Sequence, residues 1–150
     1  MKALKTLVLL ITIFCLFFLV SCSKEQEALP TRSALLAGDT EQGRSYFITS
    51  AEVDLVDVNG TLILLECVID NTISYYPDGR YEENEGRSKC DSEDPPGLVG
   101  TWTFINGETQ LSITLDGSEE IWEVVSITDQ GHRLTKNSDS GEVTFVLERL

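Results

Sequence analysis

The chain is expected to be all-β, an antiparallel up-and-down meander rolled into a barrel or packed as a sandwich, on two grounds. From Gly43 onward apolar and polar residues alternate at period two in one short stretch after another, so each stretch carries one largely apolar face. Between the stretches lie Asn59-Gly60, Pro77-Asp78-Gly79, Asn106-Gly107, Asp116-Gly117, Asp129-Gln130-Gly131 and Asn137 to Gly141, each with residues that tolerate positive φ and so reverse the chain. Short strands joined by such turns at intervals of about ten residues make an antiparallel meander, hence a barrel or sandwich.

The N-terminal 31 residues stand apart from this pattern. Lys2 and Lys5 precede an apolar run, Leu7 to Val20, broken only by Thr12 and Cys15. That run is shorter than the roughly 20 residues a membrane span requires, so residues 1–21 read as a signal peptide. Its end, Leu19-Val20-Ser21-Cys22, resembles a lipobox. The resemblance implies that Cys22 is lipidated on sulfur, becomes the mature N-terminus and is acylated there, a durable membrane anchor because each buried methylene contributes about 0.8 kcal/mol. Residues 22–31 then form a polar tether without hydrophobic period. Ser23, rather than Asp, follows the cysteine, which favours the outer membrane. Ser23-Lys24-Glu25-Gln26-Glu27 also resembles the acidic export tag of some surface lipoproteins.

The remaining residues, 32–150, suffice for one small domain. Arg32 to Ala37 is a candidate short helix, with Gly38 placed to end it. Tyr46 and Ile48 with Val53 and Leu55 mark the first strand stretch, and Ile73 with Tyr75 the next. Trp102 and Phe104; Leu111, Ile113 and Leu115; Ile121, Val125 and Ile127, with Glu123 as the exception; and Val143, Phe145 and Leu147 mark the later ones. Thr61 to Ile69 is compatible with a buried strand or with one short helix capped by Thr61. Arg87 to Leu98, with Pro95-Pro96-Gly97, reads as a loop.

Charge and cysteine content narrow the function. The formal net charge of −14 becomes more negative still when Lys2 and Lys5 leave with the signal, which argues against a nucleic-acid partner. Cys67 and Cys90 are the thiols left to the mature domain in an oxidising compartment, and they are expected to pair. A bridge across the intervening 22 residues is worth roughly 3.5 kcal/mol in the chain-entropy model. Zinc is the alternative, but with His132 the only histidine a tetrahedral set would need carboxylates.

Catalytic groups are sparse. His132 follows a turn and is expected to be exposed. Glu82-Glu83 and Glu119-Glu120 are pairs by adjacency, and neighbours in a strand point to opposite faces. No nucleophile elbow, Walker loop or dinucleotide fingerprint occurs, so the chain reads as non-catalytic and without a cofactor. Asp57, Asn59, Gly60 and Glu66 fall at EF-hand spacing, but Leu55 stands where the first ligand belongs, so a β-turn is the better reading. Asp91, Glu93 and Asp94 form an acidic loop with at most a loose affinity for Ca²⁺.

Cys67-Val68-Ile69-Asp70-Asn71, Tyr76-Pro77-Asp78-Gly79-Arg80-Tyr81, Lys89-Cys90-Asp91 and Gly100-Thr101-Trp102-Thr103-Phe104 together resemble the lipocalin-like domain of small Gram-negative bacterial lipoproteins. Tyr46 stands where that family usually has Trp, and Arg80 where it has Thr. Over residues 32–150 the resemblance implies an up-and-down barrel or half-barrel with a Cys67 to Cys90 bridge. In such a barrel Trp102, Phe104, Leu111, Ile113, Val125 and Phe145 are the inward candidates to touch a small apolar or amphipathic ligand, with Tyr75 beside them. The same side chains would equally fill a solid interior. That alternative makes the protein a structural or partner-binding lipoprotein of the envelope.

Overall fold

Each strand pairs antiparallel with its neighbours, and the last strand returns to the first. The computed structural model describes residues 29–55, 58–61, 70–89, 91–93, 95–138 and 141–150, with the backbone alone at 52–55 and 58–61. A short helix, α1 (Arg32–Ala37), precedes β1 (Arg44–Leu55), β2 (Val58–Thr61), β3 (Thr72–Tyr75), β4 (Arg80–Asn84), β5 (Gly97–Ile105), β6 (Gln110–Leu115), β7 (Ser118–Ile127), β8 (Gly131–Ser138) and β9 (Gly141–Arg149). One edge of β1 pairs with β9 from Tyr46↔Arg149 to Asp54↔Glu142. Its other edge pairs first with β3 (Phe47↔Thr72) and then with β2 (Glu52↔Thr61). β2 and β3 therefore share one place in the wall, and the result is an eight-stranded closed barrel rather than a half-barrel or sandwich.

Turn chemistry sets the register. Asp116 (φ 49°) and Gly117 (φ 78°) form a two-residue hairpin loop with both residues at positive φ, a turn whose twist matches that of the flanking strands. It fixes Leu115 opposite Ser118, and hence Ile113 opposite Glu120 and Leu111 opposite Trp122. The inward residue of β7 is therefore Trp122, and Ile121 and Val125 are exposed. This corrects the expected apolar face of β7: a shift of one residue moves every side chain of a strand to the other side. Val125 is the extra residue of a bulge between Val124 and Ser126, and the bulge brings Ile127 back inward opposite His132.

Two further expectations change. Asn59 and Gly60 are not a turn but lie in β2, where they pair with Asp54 and Val53 of β1. Gly97 and Leu98 belong to β5, opposite Asn84 and Glu83, so the preceding loop ends at Pro96. That loop is held by two side chains just before β3. Asp70 Oδ2 accepts from the backbone N–H groups of Arg87 and Ser88, and Asn71 Oδ1 from that of Gly86. At Gly100 a Cβ would lie 2.0 Å from the Thr114 carbonyl oxygen, so β5 and β6 can approach here only because the side chain is missing. Residues 62–69 lie outside the described residues, and with them the alternative readings of Thr61 to Ile69. So do Cys22, Cys67 and Cys90 and therefore both the anchor and the bridge.

α1 forms where expected and plugs one end of the barrel. Thr31 caps it by accepting from the Ala34 N–H, and the Gly38 N–H closes it on the Ala34 carbonyl. Its buried residues Leu36 and Ala37 join the core. The helix is tied to the wall by the Tyr46 hydroxyl, by the Arg44 guanidinium on the Leu35 carbonyl, and by Arg32 on the carbonyl of Glu108 in the β5–β6 loop.

Candidate ligand cavity

Period-two alternation puts Tyr46, Tyr75, Trp102, Leu111 and His132 inside, next to α1, and there they close the interior. The rings meet edge to face: Tyr46 against His132 at 4.5 Å, Tyr75 against Trp102 at 5.7 Å, Trp102 against Phe104 at 5.6 Å between centroids. The Trp102 indole N–H donates to the Tyr76 carbonyl at 3.0 Å. His132 is not an exposed turn histidine: it is 3% exposed, because the β7 bulge and its pairing with Ile127 turn it inward. Its Nε2 lies 3.4 Å from the Tyr75 hydroxyl. Burial drives its pKa down to about 3, so the ring is neutral at physiological pH.

Toward the other end the interior is not filled. A cavity of about 390 Å³ is bounded by Ile48, Ile73, Ile113, Leu115, Leu134 and Leu147, and by the rings of Tyr75, Tyr81, Trp122 and Phe145. Its polar wall is Glu83, Ser118, Glu120 and Lys136. Ser118 and Glu120 are exposed and mark the mouth, near the Asp116-Gly117 turn. Volume and lining match those of a small-molecule pocket, about 300 to 1,000 Å³ and mostly apolar with a few placed polar groups.

The charged groups at the mouth are arranged unequally. Lys136 Nζ lies 2.8 Å from Glu120 Oε1 and 4.3 Å from the centre of the Trp122 ring. The Trp122 indole N–H reaches Glu120 Oε2 at 3.2 Å. Glu83 lies two residues beyond Tyr81 on the same inward face of β4, and both line the cavity. Burial, then the neighbouring charges of Glu85 and Glu120, raise the Glu83 carboxyl above the usual range, with the nearby Tyr81 phenol acting the other way. Burial likewise pushes the Tyr81 phenol well up, so it stays a neutral donor.

No protein-family model and no curated protein matches this chain.

Of the six residues expected to touch a ligand, Ile113 and Phe145 line the cavity, as does Tyr75 beside them. Trp102, Phe104 and Leu111 belong to the core, outside the cavity lining. Val125 is 54% exposed on the outer surface. Adjacent acids do separate by face. Glu82 bonds Arg80 and Tyr76 outside while Glu83 turns in, and Glu119 accepts from the Ser112 hydroxyl while Glu120 reaches the cavity. Trp122 and Lys136 were not among the candidates. Counting outward along both strands from the Asp116-Gly117 turn would have found Trp122, opposite Leu111.

In the acidic loop, Asp91 accepts from the Glu93 N–H at 3.0 Å, the bond of an Asx turn. Among the described residues no three acidic, cysteine or histidine side chains are grouped to hold a metal ion.

Proposed function

We propose that the protein is a lipid-anchored, non-catalytic lipoprotein of the outer membrane whose barrel binds one small apolar or amphipathic molecule. The observation that carries this reading is the cavity of about 390 Å³ with an apolar and aromatic wall. A barrel serving structure alone gains by filling its interior, since voids forfeit packing energy in proportion to their size. This one has its plug of side chains at the α1 end and keeps the remainder open. The closed eight-stranded meander also fits the lipocalin-like resemblance of residues 32–150.

Anchoring belongs to the same reading and rests on Leu19-Val20-Ser21-Cys22, as the Cys67 to Cys90 bridge rests on cysteine content and compartment. The direct test is native mass spectrometry of the protein purified from its own envelope. One molecule of reproducible mass retained per chain supports the reading. Chains that are uniformly empty, together with failure of Cys22→Ala to abolish labelling by a fatty-acid analogue, would remove both halves of it.

A further inference from the structure

We infer that the cavity selects a cationic amphiphile, an aliphatic or aromatic body carrying an ammonium group, and that the Glu83 carboxylate receives the ammonium. This rests on the small-molecule reading above and adds the sign of the ligand's charge. Among the described residues three charged side chains face the cavity: Glu83, Glu120 and Lys136. The one cation is already engaged, with Glu120 at 2.8 Å and over the Trp122 ring. Among the described residues no Lys, Arg or His pairs with Glu83, which shares the cavity wall with the Tyr81 phenol. The Glu85 carboxyl lies close enough to repel Glu83, with one oxygen buried and unpartnered among the described residues.

An arriving ammonium would relieve this excess of negative charge, and a partly desolvated, charge-assisted bond is among the stronger contacts a pocket can offer. The aromatic rings of Tyr75, Tyr81 and Trp122 in the cavity wall favour a cation as well. A carboxylate ligand meets the opposite situation. It would approach two glutamates and reach Lys136 only by breaking the bond to Glu120. The chain's net charge of −14 acts in the same direction at long range.

The test uses three probes with one body and three heads, 4-phenylbutylamine, 4-phenylbutanol and 4-phenylbutyrate. Each is titrated calorimetrically into the chain from residue 23 onward, which contains every described element of the fold. The amine is expected to bind about tenfold or more tightly than the alcohol, and the acid most weakly. Glu83→Gln should bring amine and alcohol to within a factor of about two of each other, whereas Lys136→Gln should strengthen amine binding by releasing Glu120. The amine-to-alcohol ratio within each variant guards against a general loss of folding. Binding of all three without preference, tighter binding of the acid, or an amine preference that survives Glu83→Gln would overturn the inference and leave the cavity-binding reading in place. Binding of none of the three would count against both.

Discussion

The Tyr46 hydroxyl donates to the Leu36 carbonyl at 2.7 Å, joining the first strand of the barrel to the helix that closes its end. Leu36 lies in the last turn of α1, where carbonyls have no partner within the helix, and both residues are fully buried. The hydroxyl thus satisfies a helix-terminal carbonyl that water cannot reach.

Tyr46→Phe keeps the ring and removes that donor. It is expected to cost about 1 to 3 kcal/mol, the penalty of a buried acceptor left unsatisfied, measured by urea unfolding. Wild-type stability in this variant would mean that the helix is held by its apolar contacts alone.

His132 gives the protein an acid-sensitive stability. Its folded pKa of about 3 lies below the ordinary 6.5, so the unfolded chain takes up a proton first as the pH falls. Stability is lost progressively between pH 6.5 and 3, by on the order of 5 kcal/mol at most. Glu83 acts in the opposite sense: a raised folded pKa contributes stability at low pH that disappears as the pH rises through it. The clean comparison is therefore the difference between wild type and His132→Phe from pH 7 to 4, in which the carboxylates cancel. The wild type should lose stability faster by up to one proton per unfolding event. Parallel curves would contradict the buried, neutral histidine.

The register of β7 can be checked on adjacent residues. Trp122 is buried against Phe145, with ring centroids 5.4 Å apart, and Trp122→Ala should cost about 3 to 5 kcal/mol. Ile121→Ala, on the outer face, should change stability by about 1 kcal/mol or less. Chemical denaturation of the two variants reads the difference, and equal losses would contradict the register.

How much of this was legible in the sequence depended on whether a local rule or a pairing decided the outcome. The strand faces of Leu111, Ile113 and Leu115 and of Val143, Phe145 and Leu147 followed from alternation, and the end of α1 from Gly38. β7 did not, because Ile121 and Val125 imitate an inward face, and only the turn at Asp116-Gly117 and the bulge at Val125 reveal that the true one holds Trp122. The same bulge hid His132, whose place after a turn suggested exposure. The cavity itself was not legible. Ile113 and Phe145 were correctly expected to face inward, but whether space remains between such side chains depends on the closure of all strands at once. For the same reason Glu83, Glu120 and Lys136, polar residues in alternating strands, gave no local sign of meeting at one mouth.

Whether the barrel interior is a binding site is tested most directly by titrating a fluorescent apolar probe into the chain from residue 23 onward, wild type and Ile113→Phe. Ile113 lines the cavity and the larger ring would occupy part of it. The account predicts saturable binding near one probe per chain, a change in tryptophan emission from Trp122 at the wall, and a loss of affinity in Ile113→Phe that exceeds its loss of stability. Absence of saturable binding across a chemically varied panel, with Ile113→Phe destabilised by the roughly 1 to 3 kcal/mol of an overpacked core, would contradict it.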